Sequence, residues 1–269
     1  MGNLRRRSGR ETTPDRKKVQ SMRGFPLSIA FALLLAGTLA PFATEAKAGV
    51  VRVAVYRGPA GCEGCSETVG EAIQSLGSRY RVDFVGPAEA IDITPETLRR
   101  YDVYVQPGGG QDIPAAFASF GDARVEAIQT YVAGGGRYLG LCMGAYLASG
   151  YGLGLIEQDL DSEVGRPGFP VETIESTAVS TRWNGQTQTV FFQDGAYLPK
   201  ARNDPGFRTI ATYENGDIAA ARYTFRRGVV VLSGPHPEAD ESWFEENGIP
   251  LAKMPGDDLL RSLFMQLGG

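Results

Sequence analysis

One stretch limits the fold of this chain more than any other: Arg137-Tyr-Leu-Gly-Leu-Cys142-Met-Gly144-Ala-Tyr-Leu-Ala-Ser149. Tyr138 to Leu141 is an apolar run of strand length, and Met143 to Ala148 is an Ala/Leu-rich run that reads as helix. They meet in a Gly-x-Cys-x-Gly turn, Gly140 to Gly144. A sharp strand-to-helix turn of this kind holds its central residue in a strained conformation, and small neighbours let strand and helix pass closely. The side chain of Cys142 then stands at a helix N-terminus, where free amides and the helix dipole favour a thiolate. The same turn also suits an inert buried cysteine, so the stretch alone leaves two readings open.

The single histidine separates them. His236 lies in Ser233-Gly-Pro-His-Pro-Glu238, directly after the apolar run Val229 to Leu232. A cysteine nucleophile needs a base, and the base needs a group that fixes its tautomer. His236 and Glu238, at the end of a buried strand, supply both. The sequence therefore nominates Cys142, His236 and Glu238 as a catalytic set.

The wider pattern is an alternation of strands and helices. Strands are expected at Val51–Tyr56, 80–85 and 101–105. Helices are expected around Val69, Ile73 and Leu76, with Thr68-x-x-Glu71 resembling a capping box, then at Pro95 and from Asp122 to Gly134. Such alternation implies right-handed crossovers and a mainly parallel sheet with helices on both faces, an α/β fold. Working loops of these sheets lie at the carboxyl ends of the strands, which is where Tyr56–Cys65, Pro107–Gly110, Cys142 and His236 fall. After residue 150 the pattern changes. Runs near 171–180 and 187–192 alternate, and 209–213, 218–225 and 229–233 read as strands joined by tight turns, an antiparallel addition to the parallel core. No linker interrupts residues 49–269, which read as a single domain.

Residues 1–48 read instead as a signal peptide with a basic leader. Arg5-Arg-Arg7, Arg16-Lys-Lys18 and Arg23 precede an apolar run from Phe25 to Phe42, and Ala46-Lys47-Ala48 is an A-x-A cleavage signature. Met22 is the more ordinary start. Export to a bacterial periplasm or to the medium is expected, with membrane contact only through this segment if it stays uncleaved. The segment holds nine of the 27 Lys and Arg and three of the 31 Asp and Glu, leaving 18 and 28, a net charge of −10. That balance offers no basic face for a phosphate backbone, so a nucleic-acid partner is not expected.

Three cysteines remain. In an oxidising compartment Cys62 and Cys65 could close a local disulfide, and their place before a helix also resembles a thioredoxin-like redox motif. Two cysteines and one distant histidine do not make a zinc site, and no metal or cofactor is expected. Pro107-Gly-Gly-Gly110 lacks the Lys-Ser/Thr of a P-loop and the spacing of a dinucleotide site. Its better use is an oxyanion hole, with the amides of Gly109 and Met143 as donors.

Pro-Gly-Gly, Gly-Leu-Cys-Met-Gly and His-Pro-Glu, in this order, resemble the class I glutamine amidotransferase fold, a flavodoxin-like α/β architecture. The closer likeness is to the amidotransferase-like domain at the N-terminus of eukaryotic biotin–protein ligases, also found as free-standing bacterial proteins. Val53–Pro59, Tyr104–Asp112, Gly135–Tyr146 and Val230–Glu238 carry it. The resemblance implies Cys142 as nucleophile, His236 as base and Glu238 as its orienter, cleaving an amide through a thioester. It does not carry a substrate, because nothing here resembles the synthase that receives ammonia in that class. Three readings follow: a cysteine hydrolase of a small-molecule or peptide amide or γ-glutamyl-type bond, a catalytically silent ligand-binding module, or a thiol-redox protein using Cys62 and Cys65.

Overall fold

In the computed structural model the described residues are 49–268. The expected signal segment lies outside them. The elements follow in chain order: β1 (Val51–Tyr56), α1 (Cys65–Ser75), β2 (Tyr80–Val85), α2 (Pro95–Leu98), β3 (Val103–Gln106), α3 (Ile113–Ala118), α4 (Asp122–Ala133), β4 (Arg137–Leu141) and α5 (Met143–Leu147). Then come β5 (Asp161–Ser162), β6 (Thr177–Trp183), β7 (Gln186–Phe192), β8 (Ala196–Tyr197), β9 (Arg208–Tyr213), β10 (Ile218–Phe225), β11 (Gly228–Ser233), α6 (Glu241–Glu246) and α7 (Leu259–Gln266). Among the described residues no helix is long and apolar enough to cross a membrane.

Nine strands form one sheet in the order β2-β1-β3-β4-β11-β10-β9-β6-β7. The pairings from β2 through β11 are parallel, and those from β11 outward to β7 are antiparallel. The expected fold class therefore stands, with one refinement. β11 is antiparallel to β10 but parallel to β4, so it closes the parallel core rather than belonging to the addition. Val229–Ser233 pairs with Arg137–Leu141 in unbroken register, which brings the residues after both strands to one edge.

The central parallel strands β3, β4 and β11 are apolar on both faces because both are covered. Tyr104, Tyr138 and Val230 face one cluster with Ile128 and Leu147, while Val53, Leu139 and Val231 face another with Ile73 and Leu263. The antiparallel half curls back on the core. Phe191, at the end of the outermost strand, bridges to His236 beyond β11, and the His236 N–H donates to the Phe191 carbonyl at 2.9 Å.

Two local expectations are corrected. Thr68-x-x-Glu71 is no capping box: α1 starts earlier, at Cys65, with Gly64 at φ 76° before it and no side-chain cap. The third strand is Val103–Gln106 rather than 101–105, because Asp102 is used at its entry, where its carboxylate accepts the Arg52 N–H at 2.8 Å. At α2 the expected cap is present. Thr94 accepts from the Thr97 N–H, and Pro95 takes the first turn, where a missing N–H costs nothing.

Candidate active site

Cys142 has φ 49° and ψ −108°, a region that L-residues avoid. Its N–H continues the β4–β11 ladder by donating to the Ser233 carbonyl at 2.8 Å, so the backbone turns sharply only after that bond. The flanking glycines make the turn sterically feasible. A Cβ on Gly140 would strike the Gly144 carbonyl, and one on Gly144 would strike the Gln106 carbonyl of β3. The Tyr138 hydroxyl donates to the same Gly144 carbonyl at 2.7 Å, pinning α5 to the strand behind it. Gly144→Ala is accordingly expected to lose about 2–3 kcal/mol of stability through overpacking. Urea unfolding of the variant against the parent protein checks this.

His236 and Glu238 follow β11, at the same edge. The imidazole Nδ1 lies 2.9 Å from Glu238 Oε1, and the two side chains are almost wholly buried. Glu238 Oε2 has no hydrogen-bond partner among the described residues. Burial works against charge on the imidazole. The Cys142 sulfur and the Glu238 carboxylate outweigh it through charge and side-chain hydrogen bonding, and the His236 pKa rises to about 10. The ring therefore keeps its proton at neutral pH and gives it up only as pH rises through about 10. Since the chain has one histidine, 15N-histidine labelling yields a single imidazole to titrate by NMR. Its midpoint should lie well above 6.5 and fall toward the ordinary histidine range in Cys142→Ser, where the sulfur's interaction with the ring is lost.

His236 and Glu238 are thus in direct contact, and the Cys142 sulfur lies near enough to the imidazole to raise its pKa. Gly109 and Met143, expected from the sequence as oxyanion donors, lie next to each other. Met143 is the first residue of α5. A Cβ on Gly109 would lie 2.7 Å from the Met143 Cγ and 3.0 Å from the Ala60 carbonyl. Among the described residues neither the Gly109 nor the Met143 amide donates to another group, which leaves both available. Gln106, fully buried, braces this corner: its Nε2 donates to the Ala60 carbonyl at 3.3 Å and its Oε1 accepts from Tyr104 at 2.8 Å. Cys62 and Cys65 are joined as a disulfide, and Cys142 is free.

Several neighbours of the site were not nominated by the sequence. The Cys142 sulfur lies 3.6 Å from the Gln193 carbonyl oxygen. Asp194 follows at φ 50°, with its carbonyl accepting from Tyr146 at 3.0 Å and its carboxylate from Ser162 at 2.6 Å. This strap after β7 lies over the sulfur, and Cys142 is only 8% exposed. His236 also packs edge-on against Phe191 and tilted against Trp243, with ring centroids 5.8 and 5.1 Å away. The Gln193 contact uses backbone, so no side-chain signal could have announced it. The apolar end of β7 and the aromatic pair Trp243-Phe244 were visible, but nothing in the sequence tied them to His236.

Strand order and layering give an α/β protein with an amidotransferase-like fold. Its residues 51–153, under half the chain, match the family described as biotin-protein ligase, N terminal. Among solved structures it is similar to a glutamine amidotransferase at TM-score 0.55 and 17% identity, covering 81% of this chain and 99% of that one. It is also similar to PurLQS from Thermotoga maritima at TM-score 0.52 and 16% identity, covering 81% of this chain and 97% of that one. No curated protein matches the sequence. At these identities the likeness to solved structures is one of fold.

Proposed function

We propose that this protein is an exported cysteine hydrolase that cleaves a carboxamide or γ-glutamyl-type bond in a small molecule or peptide. The observation that carries the reading is the strained Cys142 set beside a buried His236 whose far nitrogen is held by Glu238. In the resting state the proton sits on His236 and the sulfur is the nucleophile. Cys142 Sγ attacks the substrate carbonyl carbon. The carbonyl electrons move onto oxygen, which the Gly109 and Met143 amides hold. His236 gives its proton to the departing nitrogen, the C–N bond breaks, and an acyl thioester remains. Water, losing a proton to His236, then attacks the thioester and frees the acid with Cys142. Export is supported by the basic and apolar N-terminal segment and by a disulfide, which persists in oxidising compartments.

The test is labelling of the mature protein with small amide and γ-glutamyl electrophiles, followed by peptide mass spectrometry. An adduct on Cys142, absent in Cys142→Ser and slowed by removal of Glu238, is expected. Failure of any such electrophile to select Cys142 over bulk thiol reactivity would remove the reading. A catalytically silent binding module of the same fold is the second reading, favoured by the Gln193 carbonyl seated over the sulfur. Under it, Cys142→Ala would bind the natural ligand and restore a deletion strain fully.

A further inference from the structure

The Cys62–Cys65 disulfide does more than close a loop. It joins residues only three apart, so it constrains the unfolded chain weakly. What it touches is more telling. The Cys62 N–H donates to the Gly108 carbonyl at 3.1 Å. A Cβ built on Gly108 would lie 3.7 Å from Cys65 Sγ and 2.8 Å from His236 Cε1. Gly108 is therefore wedged between the disulfide and the imidazole. One residue on, Gly109 rests against the Ala60 carbonyl, two residues before Cys62 in the β1–α1 connection, and against Met143.

The chemistry of the pair is asymmetric. Cys65 is buried and opens the 11-residue helix α1, while Cys62 is half-buried beside the exposed Glu63 and Gly64. The acidic residue in the first turn, Glu67, is paired with Arg57 at 3.0 Å, so its charge is compensated. Charge that develops on the Cys65 sulfur as it leaves meets the N-terminal end of α1. Arg57 also pairs with Glu89 at 2.7 Å, which fixes the start of the loop. Opening the disulfide frees mainly its Cys62 end.

We propose that Cys62–Cys65 is a thiol-exchange site that controls the Cys142–His236 centre, the oxidised form being the competent one. The partner is a dithiol reductant. One of its thiolates attacks Cys62 Sγ, the Cys62–Cys65 bond breaks, and Cys65 leaves as thiolate. The second thiol attacks the mixed disulfide, leaving as the oxidised reductant and releasing Cys62, which takes a proton. Two separated sulfurs need more room than a bonded pair. Cys65 is anchored in α1, so Cys62 moves and takes its bond to Gly108 with it. The inference rests on the site reading above but not on turnover.

The folded protein, 15N-labelled at its one histidine, is equilibrated at pH 7 with oxidised and reduced dithiothreitol in varied ratio. The His236 resonance is followed by NMR, and the rate of Cys142 alkylation by chloroacetamide is followed by peptide mass spectrometry. Reduction is expected to move the His236 resonance and to slow Cys142 alkylation by about tenfold or more, since small misplacements at a reacting centre have effects of that order. The Cys62→Ser/Cys65→Ser protein should reproduce both changes without any reductant. An unmoved resonance and an unchanged alkylation rate in the reduced protein, with only the melting temperature lowered, would overturn the proposal. If the double variant fails to fold, reduction of the native chain decides alone. A protein that turns over no amide yet shifts His236 on reduction would keep this proposal and lose the hydrolase.

Discussion

Replacing Cys142 with serine is expected to lower amide cleavage by about ten-thousand-fold or more while leaving the fold intact. In the proposed mechanism the sulfur forms the thioester, and loss of a nucleophile in a cooperating set removes almost the whole benefit of that set. Serine is close in size, so the turn between Gly140 and Gly144 keeps its shape. The sulfur is one of the two groups that raise the His236 pKa, so in this variant His236 keeps only the part contributed by Glu238. Steady-state rates on any substrate found by the labelling screen, together with the histidine titration of the same variant, measure the two losses in one protein. Retained turnover in Cys142→Ser would sink the mechanism.

Glu238→Gln should cost roughly a thousandfold in turnover, with substrate binding little changed. The carboxylate is buried and 2.9 Å from Nδ1. The amide that replaces it presents a donor as readily as an acceptor, so the ring loses both its fixed tautomer and the charge that stabilises imidazolium. The His236 titration midpoint should fall in this variant too, because one of the two charges that raise it is gone. A kcat loss of this size with KM near the parent value is the expected pattern. A parallel rise in KM, or a collapse of the circular dichroism spectrum, would indicate a structural role instead.

The parallel half of the fold was legible because its residues carry their own constraints. Gly140 and Gly144 stand where a Cβ would meet backbone, and the apolar runs at 51–56 and 138–141 are buried on both faces, so composition alone marks them. The role of β11 was not legible. Its run reads the same whether it pairs antiparallel with β10 alone or also parallel with β4, and only the pairing across 90 residues of chain decides. The helix Ile113–Ala118 was missed because six residues are too few to show a period, although Asp112 caps it by accepting the Ala115 N–H. The start of α1 was misplaced because a disulfide and a left-handed glycine, rather than Thr68, set it. Of the site, the side chains that do chemistry were visible by type. The strap at Gln193 and Asp194 acts largely through main-chain atoms, and main chain is the same for every residue.

The bridge between Phe191 and His236 couples the assembly of the molecule to its competence. The residues of the Cys142 turn are close in sequence, but the Cys142 N–H closes onto the Ser233 carbonyl of β11. The base is seated only when the outermost antiparallel strand has docked and the chain has returned from it, through three more strands, to the middle of the sheet. A half-assembled chain therefore carries a thiol with no proton acceptor beside it.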